Sequence, residues 1–389
     1  MAKKLSSEIG RAAMQALIQE GSPLGPLKVM AKHMGRFFQI PLPGFRPYVV
    51  FGPEANRKVL VTERNKVLWR NTDPVTDLLG RGVLIVDGDE HDHYRKLMEP
   101  PLHPSQLPAY TAQFIFHTDK VSAQWKDGET VDMLVESRKI ALLIIMDTLF
   151  SKDAWDDLPR IWNPILKAIE YISPALWILW RKMPRFGFRK PLRELDNYLY
   201  GIIEERRKTK DDNHSSPDTQ HPTPDLLQHL IDAGLTDKVI RDQMLTMLIA
   251  GHDTSTALLA WTFALLGQHP DVLSRVIQEV DTQTKSPLLD QVIKESLRLY
   301  PPIHIGNRRV AKEMQFSAGN VPAEERMFYS IYLTHRDPEI WENAEDFCPE
   351  RFAHGRKTPP FSYVPFGGDP RACIGGAFGQ AEARVVMAR

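Results

Sequence analysis

The sequence predicts a mainly helical fold with small β-sheets, and three observations predict it. Apolar residues recur at spacings of three and four from about residue 75 to 205. The same pattern returns over 236–268, where Thr236 or Asp237 can cap a long helix and Pro270 stops its continuation. β-Branched and aromatic runs, by contrast, are confined to 40–62 and 306–334.

Taken in order, the chain opens on MAKKLSSEIGRAAMQALIQEG, which lacks the long apolar core of a signal peptide or anchor. IPLPGFRPYVVFG, within 40–62, is proline-rich and then β-branched, as a small β region should be. The helical stretch 75–205 contains YISPALWILWRKMPRFGF at 171–188. This segment suits a core helix edge, with a hydrophobic lid over a substrate channel as the functional alternative. KTKDDNHSSPDTQHPTP at 208–224 is polar and proline-punctuated, a mobile linker loop. A helix restarts over 225–234, and the next, 236–268, is long enough to span ~50 Å. Residues 306–334 read as strands, and the last 50 or so as loop followed by a terminal helix. There are no internal repeats, so residues 1–389 are predicted to form one large domain.

Hydrophobic residues make up 42% of the 389, ample for a substantial core. Lys+Arg and Asp+Glu each total 49, a net charge of zero that gives nucleic acid no electrostatic footprint. The runs IALLIIM and ALWILW fall far short of the ~20 residues of a membrane span. Two cysteines, Cys348 and Cys373, make no disulfide framework and fit a reducing, cytoplasmic setting.

Four segments carry chemistry. In FSYVPFGGDPRACIGGAFGQAEAR, Cys373 ends a glycine-rich loop just before a potential helix, whose N-terminus favours the thiolate. Gly367, Gly368, Gly375 and Gly376 leave room for something flat against the backbone. In the long helix, Gly251, His252, Asp253, Thr254, Ser255 and Thr256 interrupt an apolar run. Burying such groups costs free energy unless they are satisfied, and a glycine beside a back-bonding hydroxyl favours a kink or bulge there. In LLDQVIKESLRLYPP, Glu295 and Arg298 share a helix face, and the double proline ends that helix. In GDEHDHYRKLMEPPLHP, His91 and Arg95 lie four apart on a predicted helix.

Together these segments resemble the cytochrome P-450 (haem-thiolate monooxygenase) family, in its soluble bacterial form. Phe366, Arg371, Cys373 and Gly375 match the family's F-x-x-G-x-R-x-C-x-G loop, with Asp369 standing where the pattern has glycine. Ala250 to Thr254 match its oxygen-activation motif, Glu295 and Arg298 its E-x-x-R helix, and FCPERF its P-E-R-F segment. The resemblance implies a triangular, mainly helical domain with haem b (iron protoporphyrin IX) between the long helix and the cysteine loop. It implies Cys373 as iron ligand, Thr254 and Asp253 as the pair that delivers protons to the oxygen being activated, and Glu295, Arg298 and Arg351 as a buried structural network. It implies His91, Arg95, Arg309 and Arg371 as propionate partners, with His93 and Arg308 one register slip away. The implied reaction inserts one atom of O2 into a lipophilic small molecule such as a fatty acid or terpenoid. Electrons then come from NAD(P)H through a ferredoxin or flavodoxin-type donor and its reductase, for which Lys96 and Arg384 offer a basic docking face. A haem-binding sensor, or an enzyme that rearranges a peroxide, needs no proton delivery, so the Asp253–Thr254 pair argues against both. Only 16 residues follow Cys373. Either the sequence continues beyond Arg389, or the pocket lacks a β hairpin and is more open. The connector TQTKSP at 282–287 is short for the family.

Overall fold

Alternating apolar residues build one five-stranded sheet in the computed structural model, which describes residues 6–42, 44–69, 74–173, 185–211, 225–283, 286–355, 357–368 and 370–389. Contacts divide the chain into two compact units. The first comprises Met1–Arg70, Leu176–Arg181 and Lys294–Cys373; the second comprises Asn71–Ala175, Lys182–Ile293 and Ile374–Arg389.

The first unit holds the strands β1 (Phe37–Gln39), β2 (Tyr48–Val50), β3 (Val67–Leu68), β4 (Ile305–Val310), β5 (Met314–Phe316), β6 (Gly319–Val321) and β7 (Arg326–Ser330). The large sheet runs β1-β2-β7-β4-β3, and β5 pairs with β6 as a separate hairpin. Only β2 and β7 are parallel, with Val49 opposite Phe328. Along β4 burial alternates strictly, so Arg308 and Arg309 take opposite faces. Phe37, Val50, Val59, Val310, Met314, Met327 and Val364 pack into one core.

Both stretches expected as strand are partly helical. Pro53 opens the helix Pro53–Arg57, whose first turn wants no N–H, and Lys58–Thr62 continues it as a π-helical turn. Ser330 ends β7 and caps the helix Ile331–His335, its hydroxyl accepting from Leu333 N at 3.1 Å.

The second unit is helical. Its centre is the pairing of Met133–Phe150 with the 32-residue helix Asp237–Gln268. Ile140 to Met146, the IALLIIM run, are all buried, so that run is a core helix rather than a membrane segment. Thr236 caps the long helix, and Pro270 both ends it and opens Pro270–Thr282. No bulge forms at Gly251: the helix stays α through the polar cluster. Thr246, Thr254, Thr256 and Thr262 each return their hydroxyl to the carbonyl four residues back, at 2.6–2.7 Å, and the ladder accommodates these bonds without a bulge.

A polar clamp sets the segment before the His91 helix. Asp242 accepts from Arg81 N at 3.0 Å, and Gln243 accepts from Val83 N at 2.8 Å while donating to Arg81 O at 2.9 Å. Gly82 makes this approach possible, because a Cβ there would collide with Thr246 Oγ1. Among the described residues no helix is long and apolar enough to cross a membrane. Residues 174–184 of the aromatic segment, 212–224 of the linker, and Asp369 lie outside those described.

Gly82→Ala is therefore expected to lower stability by about 1–3 kcal/mol through overpacking. Gly201→Ala, in an exposed helix interior with open space around the added methyl, should raise it by about 0.5–1 kcal/mol. Denaturant midpoints of the two variants check both signs.

Candidate active site

In the first unit, the cysteine loop is shaped by two short backbone bonds. Gly367 N donates to Val364 O at 3.0 Å, and Cys373 N donates to Phe366 O at 2.8 Å. Gly367 has φ +72°, a left-handed conformation that explains a glycine at this position. A side chain at Gly368 would meet Leu60 Cβ at 2.9 Å, so the loop lies close against the Lys58–Thr62 turn. Phe366 and Arg371 are half-buried, whereas Cys373 is exposed and makes no disulfide.

The first unit also contains a buried network. Arg298 grips Glu295 with Nε and Nη2, both at 2.8 Å, and neither side chain has solvent exposure. Its other three N–H groups go to the carbonyls of His335 (2.8 Å), Ala344 (2.7 Å) and Asp346 (3.0 Å). All five guanidinium donors are thus used. Arg351 Nε reaches Glu295 Oε1 at 3.0 Å, and Cys348 N donates to the same oxygen at 2.9 Å. The structure therefore brings Glu295, Arg298 and Arg351 together. It also gives Cys348 a backbone role that its sequence context did not signal.

The arginines of β4 diverge. Arg308 is buried, with its guanidinium 4.3 Å from the Trp69 ring and 5.2 Å from that of Tyr329. Arg371 approaches the same Trp69 ring at 5.9 Å. Arg309, on the other face, ion-pairs with Glu324 in a largely exposed position. Such a pair contributes little, so Arg309 can exchange it for a stronger acceptor.

In the second unit, His91 is buried and Arg95 half-buried on one face of Gly88–Leu102, while His93 is exposed. His91 Nδ1 lies 2.8 Å from Asp92 Oδ1. Lys96 is exposed, and Arg384 is held by Asp290 at 2.5 Å.

The long helix carries the remaining candidates. It is buried continuously from Val239 to Ile249; beyond that Ala250 and Trp261 are exposed and Gly251, Asp253, Thr254 and Ala257 are half-buried. Ala250, Thr254, Ala257 and Trp261 fall at helical spacing and make one stripe that carries a single hydroxyl and ends on a large aromatic ring. Thr254 Oγ1 donates to Ala250 O at 2.6 Å, which leaves its lone pairs as acceptors. Burial pushes the Asp253 carboxyl above its usual range, and the charge of Arg138 opposes that rise. His252 points into the core, with Nε2 3.2 Å from Arg138 O, and burial pushes it down to about 4.

One residue escaped sequence reasoning. Glu382, on the terminal helix Gly376–Ala388, is fully buried and accepts from Ser255 Oγ at 2.6 Å. Its other oxygen, Oε1, has no partner among the described residues. Burial pushes this carboxyl up to about 8, against the pull of the Ser255 hydrogen bond. The signal in the sequence was a lone acid on an otherwise apolar face of AFGQAEARVVMA.

Two features fit a flat group held by sulfur. In the first unit the thiol of Cys373 stands exposed at the end of a pinned loop; in the second the long helix leaves Ala250 exposed and Thr254 and Ala257 half-buried. The donor chemistry also fits, since a cysteine thiolate is a haem-iron ligand and arginines suit propionates.

Comparison with known proteins agrees. A cytochrome P-450 family model matches residues 14–389. The cyclooctat-9-en-7-ol 5-monooxygenase of Streptomyces melanosporofaciens is 29% identical over 94% of this chain and 83% of its own length. The pentalenene oxygenase of Streptomyces avermitilis is 28% identical over 94% and 85%. A solved cyanobacterial structure, CYP120A1 with retinoic acid bound, aligns with a TM-score of 0.82 at 26% identity, covering 93% of this chain and 85% of that one. The chain belongs to the cytochrome P-450 family of haem-dependent oxidoreductases.

Proposed function

We propose that this protein is a monooxygenase that inserts one atom of O2 into a lipophilic small molecule of the isoprenoid class, with Cys373 holding the haem. The open stripe Ala250–Thr254–Ala257–Trp261 carries this reading. Apart from its one hydroxyl it is apolar, suited to an apolar substrate. Support for the substrate class comes from relatives. Two are named for a cyclic terpene or terpene alcohol, and the structural neighbour holds retinoic acid, an isoprenoid acid. A fatty acid is the alternative lipophile.

Bound through a thiolate, haem supplies the redox chemistry that cleaves O2 and oxidises an unactivated C–H bond. The chain's own residues bind, orient and move protons. Arg371 and Arg309 in the first unit, and His91 and Arg95 in the second, are the proposed propionate donors. The Glu295–Arg298–Arg351 network holds the cysteine loop in position. Asp253, with its proton affinity raised by burial, takes a proton from solvent and releases it inward. Thr254 presents an acceptor oxygen on the open stripe and holds the proton at the point of use. Ser255, the next residue along the helix, is hydrogen-bonded to Glu382, which stores a proton at neutral pH. Electrons come from NAD(P)H through a separate acidic ferredoxin or flavodoxin, for which Lys96 is the better docking cation. The charge of Arg384 is already balanced by Asp290.

The test is to load the protein with haem, titrate terpenes, retinoids and fatty acids for spectral shifts at the iron, and assay turnover with NADPH and a surrogate ferredoxin system. Isoprenoids should give shifts and hydroxylated products; binding of fatty acids alone would overturn the substrate class. Cys373→Ser should lose the thiolate-type carbonyl spectrum. Thr254→Ala should keep consuming NADPH, with product per NADPH lower by about 10-fold or more and hydrogen peroxide rising in its place. Coupling equal to the parent would remove Thr254 from the mechanism.

Glu382 makes a separate pH prediction. From its ordinary value of 4.5 to about 8, the folded protein keeps a proton that the unfolded chain has released. This contribution to stability therefore declines as pH rises through that interval. Glu382→Gln has no such proton to lose. Its melting temperature relative to the parent should climb steadily from pH 5 to pH 8.

A further inference from the structure

His335 lies inside the first unit with no exposure, and the sequence reading assigned it no role. Its carbonyl accepts from Arg298 Nη1 at 2.8 Å. Its ring nitrogen Nε2 accepts from Val364 N at 2.9 Å. Val364 O in turn accepts from Gly367 N, and the turn so formed ends at Phe366, whose carbonyl accepts from Cys373 N. The ring is stacked on Tyr363, with centroids 5.3 Å apart and planes at 21°, and Trp341 meets it edge-on at 6.5 Å. Tyr363 is itself tied to Lys294 O at 3.1 Å. One residue thus touches the buried arginine through its backbone and the cysteine loop through its side chain.

We propose that His335 is the positioning residue that couples the Glu295–Arg298–Arg351 network to the cysteine loop, and that it does so only as the neutral imidazole. The tautomer follows from the geometry. Because Val364 N donates to Nε2, the ring proton sits on Nδ1. A second proton would have to go to Nε2, where it would face the Val364 N–H and break the bond. The groups around the ring oppose that proton. Arg298 and Arg336 both present positive charge, with Glu295 engaged by Arg298 and Glu345 by Arg336 at the surface, and Tyr363 is neutral. Burial, followed by the Arg298 charge, pushes the imidazole down to about 3. Nδ1 is buried with no hydrogen bond of good geometry among the described residues, and the backbone of Arg298 and Leu297, which favours the cation, is outweighed by burial.

This inference rests on the cysteine loop being the haem site, but its measurement does not. Hydrogen exchange is followed by mass spectrometry in peptides covering 362–373 of the haem-loaded protein. When the loop opens, His335 regains a value near 6.5. Opening then takes up a proton, and exchange corrected for intrinsic chemistry should rise on the order of 25-fold from pH 7 to pH 5. His335→Gln keeps an acceptor near Nε2 but does not titrate, and should flatten this rise to within about 3-fold. His335→Leu removes the acceptor and should speed exchange by about 10-fold already at pH 7. Parent and His335→Gln showing the same pH dependence in these peptides would overturn the proposal, and that comparison decides the matter even if His335→Leu does not fold. Cys373→Ser keeping the thiolate-type spectrum would instead sink the ligand assignment and leave the exchange result standing.

Discussion

A fully buried arginine with every donor satisfied is the constraint on which the first unit depends. Arg298 has no solvent exposure, and an unpaired guanidinium there would be prohibitive. Glu295 neutralises it from the same helix, three residues away. That leaves three N–H groups, and each must find an oxygen. They take carbonyls from positions 335, 344 and 346, a stretch with little regular secondary structure to hold it. The irregular segment is therefore ordered by the charge it solvates. Buried ion pairs are often no better than apolar packing in net stability. The value of this one is geometric: it fixes where a loop without its own hydrogen-bond ladder must lie.

The second unit handles buried polarity differently. Its long helix carries hydroxyls, an imidazole and a carboxyl through an apolar core. The threonines satisfy themselves by bonding back along their own helix, so their hydroxyls need no partner from outside it. His252 and Glu382 are kept uncharged by burial, one pushed down and the other up. No compensating ion is needed for either, because neither carries charge near neutral pH.

The sequence disclosed some of this and hid the rest for identifiable reasons. The long helix was legible nearly to the residue, because its cap, its apolar period and its terminal proline agree. The Glu295–Arg298 pair was legible from spacing, and Arg351 came only through family resemblance, since 53 residues separate it from Arg298. The π-helical turn Lys58–Thr62 was not legible: Val59, Val61 and Thr62 are strand formers locally, and tertiary packing against the sheet core overrides that preference. Glu382 and His335 were missed for a common cause. Each acts through a partner far along the chain, Ser255 and Val364, and neither pairing leaves a periodic trace.

The two styles of buried polarity divide the work that the chemistry needs. Arg298 itself leaves no donor unused, and its five bonds tie down the oxygens around it. Buried polar atoms without partners among the described residues occur in both units: His335 Nδ1 and Asn56 Oδ1 in the first, Glu382 Oε1, His252 Nδ1 and Arg138 Nε in the second. The last three belong to the acid bonded beside Thr254, to Asp253's sequence neighbour and to the cation whose field reaches Asp253. Under the proposed function a metal ligand must be held still and protons must be let through. Satisfied charge around Arg298 suits the first, and the neutral groups near Thr254 suit the second.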